Sequence, residues 1–259
     1  MENEIPECAI RVCSTAEDFT ACIEMQRRIW RFSDLDVTPP RSFVIARQCG
    51  GMTFGAFGKD GKLLGFSHVL PAFDALNRPY YYSQMAAVEK RLQNSGIGLR
   101  LKLAQRDLAL KKGIPLITWT FDPLQSRNAH LNIAKLGGVV RTYCVNYYGA
   151  GASELDRCLD TDRLFVEWWV ASEHVAGALA GRRREEAPAA TIGIPAEVQR
   201  LDSLDMTEER RRQLEIRAAF RRLLAEGLYC AGFERGRDGA HSRYLFFKDA
   251  RSEIELSYR

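Results

Sequence analysis

The sequence predicts an α/β protein, because segments with strand character alternate with segments of helical spacing along most of its 259 residues. Hydrophobic residues make up 46% of the chain and charged residues 27%, which excludes extensive disorder. Composition shifts once, in an Arg-, Ala- and Pro-containing stretch. We therefore expect a first domain at 1–175, an exposed linker at 176–190 and a small C-terminal α+β extension at 191–259 that packs on the first domain.

The first part of the chain predicts a strand, two helices and a hairpin. Ser14 or Thr15 is placed to cap the first helix, which has acidic residues in its first turn, where the helix dipole favours them. Two consecutive prolines precede the second helix. The predicted segments are a strand at 8–14, helices from 15 to about 30 and at 42–48, and strands at 52–57 and 62–70 around a turn at 58–61.

The middle of the chain predicts strands that alternate with two helices. Ile97, Leu101, Ala104 and Leu108 follow helical spacing, and glycines close both helices. The predicted segments are strands at 80–89 and 116–121, helices at 96–112 and 126–136, and strands at 139–148 and 163–170.

The C-terminal extension predicts a short strand, a helix and a hairpin. Thr207 is placed to cap the helix, which has two glutamates in its first turn and an apolar stripe of Ile216, Ala219, Phe220 and Leu223. The predicted segments are a strand at 192–196, a helix from 207 to 227, and strands at 228–233 and 243–247 joined through 237–239.

Cysteine and histidine spacing favours neither disulfides nor a metal site. The seven cysteines are scattered without a Cys-x-x-Cys pair, so we expect reduced and mostly buried thiols. His130, His174 and His241 have no metal-ligand spacing, so we expect no metal. No apolar run reaches the ~18 residues that cross a membrane, and the acidic N-terminus lacks signal-peptide features. We therefore expect a cytoplasmic location without a membrane partner.

The charge pattern does not favour nucleic-acid binding. The formal net charge is only +4, from 37 basic and 33 acidic residues. The arginine runs at 182–184 and 210–212 are followed by glutamates, and Glu208 and Arg212 are one helical turn apart. These runs predict solvated helix and linker surfaces with internal ion pairs.

The most informative motif is the stretch from Met85 to Leu99. A strand ends there, a short polar loop follows, and Gly96-x-Gly98 opens a helix. Backbone N–H groups of such a loop point at one spot, and the helix N-terminus adds partial positive charge, so a pyrophosphate fits there. The spacing is neither the dinucleotide-binding Gly-x-Gly-x-x-Gly nor a Walker loop. An ordinary helix start after a tight turn is the alternative interpretation.

This motif and its surroundings resemble the Gcn5-related N-acetyltransferases, the GNAT superfamily. Gln93-x-x-Gly96-x-Gly98 resembles motif A, whose usual form is Arg/Gln-x-x-Gly-x-Gly/Ala. The segment 126–138 resembles motif B, Asn-x-x-Ala-x-x-x-Tyr-x-Lys-Leu-Gly-Phe, with matches at Ala129, Lys135, Leu136 and Gly137. The resemblance covers roughly the first two-thirds of the chain. The segments 118–124 and 127–130 resemble a group of bacterial predicted acetyltransferases of unknown substrate.

The resemblance implies a mixed, splayed central sheet flanked by helices and a site for acetyl-CoA. The loop amides would bind the pyrophosphate, the strand at 85–88 would bind the pantetheine arm, and the N–H of Ala86 or Ala87 would face the thioester carbonyl. The implied cofactor-binding residues are Met85, Ala86, Ala87, Val88, Gln93, Asn94, Ser95, Gly96, Ile97, Gly98, Ser126 and Asn128.

Two departures from motif B bear on the chemistry. Ser126 stands where the family has Asn, although Asn128 follows closely, and Ile133 stands where the family has Tyr. That Tyr commonly protonates the departing thiolate, which an Ile cannot do. Another group or water then acts as the acid, or catalysis has been lost.

The candidate catalytic residues come from several elements. His68 has a suitable intrinsic pKa for a base, and Asp122 ends a strand just before a proline. Gln84 can only orient the substrate. Tyr82 and Tyr143 are candidate acids. Each also has a structural interpretation, as a core histidine, a turn aspartate or a packing tyrosine.

The function that follows is an acetyl-CoA-dependent N-acyltransferase acting on a small-molecule amine. One alternative is a CoA- or acyl-CoA-binding sensor without turnover. Another is an interaction protein that uses the Arg-rich C-terminal helix. The extension could shape the acceptor pocket or form a homodimer contact.

Overall fold

The computed structural model describes residues 7–149, 159–195, 206–236 and 241–248. By their contacts these residues form two compact units. The first ends at Ile117 and the second begins at Thr118, within the strand at 116–121. The predicted division near residue 175 differs from this one and stays a prediction.

The first unit contains an antiparallel sheet with strand order β1-β2-β3-β4 and three helices. All the strands and helices predicted for this part are present. Their bounds are β1 Cys8–Val12, α1 Ala16–Trp30, α2 Pro40–Gln48, β2 Met52–Gly58, β3 Leu63–Phe73, β4 Pro79–Val88 and α3 Ile97–Lys111.

Two apolar clusters lie on the two faces of this sheet. Phe43 of α2 and Phe66 of β3 belong to the cluster that also contains α1 residues. Ile97 and Leu101 of α3 belong to the other cluster, with Leu64 of β3. Because residues of α1 and α2 belong to the first cluster and residues of α3 to the second, the sheet separates α1 and α2 from α3.

A capping box fixes the start of α1. Thr15 accepts a hydrogen bond from the amide of Asp18, and the Asp18 carboxylate accepts from the amides of Thr15 and Ser14. Two further bonds join Asp18 to the Arg11 guanidinium, at 2.7 and 2.8 Å. Arg11 and these amides hold the pKa of Asp18 at about 2, against the opposing effect of burial.

The second unit contains strands in the order β5-β7-β6-β9-β10-β8 with three α-helices among its described residues. Its elements are β5 Leu116–Phe121, α4 Ser126–Ala129, β6 Val139–Cys144, β7 Arg163–Trp169, α5 Glu173–Leu179, β8 Ala190–Ile194, α6 Met206–Ala225, β9 Leu228–Glu234 and β10 Ser242–Lys248.

The C-terminal strands continue the sheet begun by β6 and β7. β9 pairs with β6 at Cys230 and Val140. Phe220 of α6 is fully buried, and its ring contacts those of Tyr143, Tyr244 and Phe246. The extension and the strand at 139–144 therefore share one core, with the predicted apolar stripe of α6 facing it.

Four predicted segments differ from the structure. Residues 173–179 form α5, capped by Ser172, so the exposed stretch is shorter than predicted. The strand predicted at 139–148 ends at Cys144 in a turn. The helix predicted at 126–136 has π-helical hydrogen bonding from His130 to Lys135. The short strand starts at Ala190 rather than 192. The predicted turn at 237–239 lies outside the described residues.

The thiol prediction is confirmed for the described cysteines. Six are free, and four of these are buried: Cys8, Cys13, Cys22 and Cys230. Cys158 lies outside the described residues. None of the described helices is long and apolar enough to cross a membrane.

The predicted ion pairs of the arginine runs are also present. Arg212 pairs with Glu208 at 2.8 Å, and Arg211 pairs with both Glu208 and Glu215. In the shortened linker, Arg184 pairs with Glu186 at 2.9 Å.

We predict that Asp18→Asn lowers the free energy of unfolding by about 1–2 kcal/mol at pH 7. The folded pKa of Asp18, about 2, lies below its unfolded value near 4. Its contribution is therefore present above about pH 4 and is lost as the pH falls toward 2. Urea unfolding from pH 7 to pH 2.5 should show the difference between variant and wild type shrinking in that window.

Asp34→Asn is the control, since its exposed pair with Arg27 is solvent-screened and should contribute little. A difference for Asp18→Asn that is constant with pH would contradict this explanation.

Candidate functional site

The loop between β4 and α3 leaves several backbone amides without an acceptor among the described residues. A 3₁₀ turn at Lys90–Leu92 follows β4, and Asn94 and Gly96 then adopt left-handed backbone angles, with φ of 69° and 86°. The amides of Gln93 and Ser95 donate back to carbonyls of the 3₁₀ turn. The amides of Asn94, Gly96 and the first turn of α3 have no such partner within the described residues. They are available to an anion.

Gly96 leaves space in front of these amides. It occupies the N-cap position of α3, where it offers no side chain to cap the helix. A Cβ atom built on Gly96 would meet no heavy atom of the described residues within 4 Å. Lys90 and Arg91 at the entrance of the loop are exposed. The open N-terminus and the nearby cations suit a phosphate group.

The loop is held on a rigid base. The amide of Glu89 donates to the carbonyl of Leu64 at 2.9 Å, and the first residue of α3, Ile97, is fully buried. A Cβ atom at Gly65 would lie 2.8 Å from the Ala87 carbonyl oxygen, so only glycine permits this approach of β3 to β4. The side-chain amide of Gln93 donates to the Val88 carbonyl at 3.4 Å and helps to close the loop.

β4 carries a bulge at Gln84. His68 of β3 lies opposite Met85 and Val69 lies opposite Ser83, so Gln84 is an extra residue without a counterpart. Met85 packs in the cluster on the α1 and α2 face, whereas Ser83 contacts α3. The bulge therefore rotates the strand and leaves the Gln84 side chain exposed.

The remaining predicted residues of this segment lie on both sides of the strand and along the loop. Met85 and Ala87 are buried, Val88 is partly buried, and Ala86 is exposed. The loop residues are exposed or partly buried apart from Ile97; they are Gln93, Asn94, Ser95, Gly96 and Gly98. Tyr82, just before the bulge, is partly buried.

The sequence analysis missed two polar residues of α3. Lys102 and Gln105 are buried, and the Lys102 ammonium group lies 2.8 Å from the Ser83 hydroxyl. The Gln105 carboxamide has no hydrogen-bond partner in the described structure. Gln105 lies one turn after Leu101, within the apolar stripe, and this polar intrusion is the signal that could have revealed both residues.

His68 is fully buried beside the bulge. Its Nδ1 lies 2.8 Å from the Thr53 hydroxyl, and its ring meets Phe43 edge-on at 4.8 Å. Burial lowers the pKa of His68 to about 4, so the ring is neutral at pH 7. A neutral ring of such low basicity is poorly suited to remove a proton from an ammonium group.

In the second unit, Asp122 and Ser126 have structural partners. Asp122 accepts a hydrogen bond from the amide of Leu124 at 2.8 Å, which is the turn interaction expected of an aspartate before proline. The buried Ser126 hydroxyl lies 2.8 Å from that of Ser242 in β10. Asn128, the second polar residue of this segment, is exposed.

Ile133 is buried, with 2% of its surface exposed. It lies in the π-helical turn, where the amide of Leu136 donates to the carbonyl of Leu131, five residues earlier. The indole of Trp168 then donates to the Leu136 carbonyl at 2.6 Å. The position of the family's tyrosine is thus part of the core in this chain.

Tyr143 belongs to an ion-pair cluster. Its hydroxyl donates to Asp162 at 2.5 Å, and the Arg217 guanidinium of α6 pairs with Asp162 and Asp160. Burial and the hydrogen bond to Asp162 raise the pKa of Tyr143 above its usual value. This hydroxyl is therefore already hydrogen-bonded and is a weaker acid than an ordinary tyrosine.

The structure thus places four of the five catalytic candidates in different settings. In the first unit, Gln84 is the exposed bulge residue, and His68 is buried beside it. In the second unit, Asp122 caps a turn, and Tyr143 joins the Arg217 cluster. No group of three or more His, Cys, Asp or Glu residues in the described ranges is arranged to hold a metal ion.

The sequence matches no protein-family profile and has no significant match among curated proteins. Solved structures do match. The Escherichia coli ribosomal-protein-S18-alanine N-acetyltransferase is 18% identical with a TM-score of 0.51, covering 64% of this chain and 97% of that chain. A putative GNAT-family acetyltransferase from Desulfovibrio desulfuricans is 17% identical with a TM-score of 0.52, covering 64% and 100%.

A third similar structure is the NatC complex bound to Gag peptide and CoA, with 16% identity and a TM-score of 0.51, covering 62% of this chain and 97% of that chain. At such identities the likeness concerns the fold. The chain has the GNAT fold, which confirms the α/β class and the fold expected from motifs A and B.

We predict that His68 makes stability depend on pH between about 4 and 6.5. Its folded pKa of about 4 lies below the unfolded value near 6.5, so the unfolded chain binds the extra proton. The His68 contribution to the free energy of unfolding should fall as the pH drops, by up to about 1.4 kcal/mol per pH unit. Urea unfolding of wild type and His68→Asn across this range measures it. Equal slopes in the two proteins would contradict the burial of a neutral ring.

Proposed function

We propose that this protein transfers an acetyl group from acetyl-CoA to an amine, which attacks the thioester directly in a ternary complex. The β4–α3 loop carries the proposal. It follows a bulged strand, presents outward amides at a helix N-terminus without a side-chain cap, and belongs to a chain with the GNAT fold. The similar structures support acetyl transfer as the general chemistry.

The residues of the first unit fit a CoA pyrophosphate. The amides of Asn94, Gly96 and Gly98 would hold the phosphate oxygens, and the space in front of Gly96 would admit them. Lys90 and Arg91 would balance the charge. The backbone of 85–88 would hydrogen-bond the pantetheine arm.

Proximity and electrostatic stabilisation would supply most of the acceleration. Holding amine and thioester in one complex removes much of the entropic cost of their encounter. Acetyl-CoA supplies an activated acyl group. A backbone N–H at the Gln84 bulge, besides those of Ala86 and Ala87, would stabilise the oxyanion that develops on the carbonyl, and the Gln84 carboxamide would orient the amine.

None of the following candidate side chains is well suited to accept or donate a proton in this reaction. His68 is buried and weakly basic, and Asp122 is engaged in its turn. Tyr143 donates to Asp162, and Ile133 has no proton to give. We infer that water removes the ammonium proton and that water protonates the leaving thiolate.

The second candidate function is a CoA or acyl-CoA sensor that binds without turnover. The buried Ile133 favours it, because the position of the usual acid has become part of the core. The two functions differ in one observable. An enzyme releases free CoA thiol when a suitable amine is added, whereas a sensor binds acetyl-CoA and releases none.

The acceptor is proposed to be a small-molecule amine. One similar structure is named for an alanine of ribosomal protein S18 and another is bound to a peptide, so a peptide N-terminus belongs in the same screen. A panel of small amines and short peptides, read by thiol release, would separate these classes. We also propose a cytoplasmic location and a homodimer. The thiol-release screen does not depend on either of these two proposals.

We predict that acetyl-CoA binds with micromolar affinity and that Gly96→Asp weakens it at least about tenfold, because a carboxylate would occupy the anion position. Calorimetry with acetyl-CoA measures this, with dephospho-CoA and ATP as comparison ligands. The matched control is Gly113→Asp. Gly113 lies at the other end of α3 with a positive φ of 66° and the same open space, so it reproduces the backbone strain.

Equal affinity losses in the two variants, or none in Gly96→Asp, would exclude this loop as the pyrophosphate site. Absence of acetyl-CoA binding by the folded wild-type protein would overturn the proposed function.

A further inference from the structure

A lysine is buried where an apolar side chain would be less costly. Lys102 lies on the face of α3 that packs on the sheet, with 4% of its surface exposed. Burial holds the pKa of Lys102 well below its usual value. A methionine would fill similar volume without this desolvation cost, so the amine itself requires an explanation.

Lys102 is hydrogen-bonded to β4. Its Nζ donates to the Ser83 hydroxyl at 2.8 Å, and Ser83 is also buried. Ser83 immediately precedes Gln84, the extra residue of the bulge in β4. The amine is therefore hydrogen-bonded to β4 one residue before the point at which the regular pairing of β4 with β3 is interrupted.

A second contact restrains β4 on the other side of the bulge. The Thr38 hydroxyl, from the loop before α2, lies 3.8 Å from the sulfur of Met85. Met85 faces the α1 and α2 cluster, whereas Ser83 faces α3. The two neighbours of Gln84 are thus held from opposite faces of the sheet, and Gln84 between them is exposed.

A bulge needs such contacts because its position along a strand is otherwise weakly determined. Moving the extra residue by one position would transfer Ser83 or Met85 to the opposite face. Apolar packing alone would oppose that change for Met85 but not for a small serine. The hydrogen bond from Lys102 supplies the missing restraint at Ser83.

We propose that Lys102 is a positioning residue that fixes the β4 bulge at Gln84 through Ser83, and so aims the backbone amide of the bulge at the thioester carbonyl of bound acetyl-CoA. This inference rests on the proposed function. Lys102 itself does not touch the acetyl group.

The test compares two ligands that differ only in the acetyl group, which contains that carbonyl. CoA lacks the acetyl group, so its affinity reports the pyrophosphate loop and the pantetheine contacts. Acetyl-CoA adds the carbonyl that the bulge amide would bind. In Lys102→Met and in Ser83→Ala, calorimetry should show the Kd for CoA unchanged within about twofold and the Kd for acetyl-CoA raised about fivefold, the size expected for one hydrogen bond.

The double variant should lose no more than either single variant, because both changes break the same contact. Lys111→Met is the matched control. It removes an exposed lysine from the same helix and should leave both affinities unchanged. Ser83→Ala removes one oxygen atom only, so it decides the question if Lys102→Met does not fold.

An unchanged ratio of the two affinities in folded variants would overturn the positioning role, and so would equal weakening of both ligands, which indicates a general structural effect. These outcomes leave the proposed function intact, because the wild-type protein would still bind both ligands. Failure of the folded wild type to bind either ligand would overturn the proposed function and this inference together.

Discussion

Every backbone N–H group that leaves water needs an acceptor, and this constraint organises the first unit. β4 satisfies it by pairing with β3 on both sides of the bulge at Gln84, and the 3₁₀ turn satisfies it for Gln93 and Ser95. At the start of α3 the chain supplies neither a capping side chain nor a nearby carbonyl. Donors there must be served by water or by a ligand. The bulge at Gln84 and the helix start at Gly96 are the places where the proposed cofactor would bind to this unit.

The buried polar groups near β4 have a common effect, although their partners differ. Lys102 restrains Ser83 from the α3 face, and His68 joins β3 to β2 through Thr53 on the other face. Each costs desolvation, and each limits the alternative registers that an apolar sheet would tolerate. These buried polar groups therefore lower the free energy of unfolding but favour a single register of β4. A site that depends on backbone amides requires this, because amides cannot adjust their direction without moving the strand.

Much of this fold could be predicted from local patterns, because α1, α3 and α6 each have a cap or an apolar stripe of helical period. Glycine spacing in motif A likewise located the loop before Gly96. The bulge at Gln84 could not be predicted, since it depends on the register between β3 and β4, which single-strand patterns do not encode. Nor could the ion-pair cluster around Tyr143, because Arg217 is distant in sequence and pairs with Asp162 only after folding. Side chains with suitable chemistry could be identified from the sequence. Whether each of them is already hydrogen-bonded to another residue depends on the tertiary structure.

The C-terminal extension changes what motif B can do in this chain. The Ser126 hydroxyl is paired with Ser242 of β10, and the Tyr244 hydroxyl donates to the carbonyl of Pro123 at 2.8 Å. The segment from Pro123 to Ser126 is therefore held by the extension. Ser126, where motif B has Asn, is committed to this contact and buried. Ile133 is also buried in the core. The segment that resembles motif B is therefore helical as expected, but its residues Ser126 and Ile133 contribute to packing. The proposed cofactor contacts are thereby concentrated in the β4–α3 segment of the first unit.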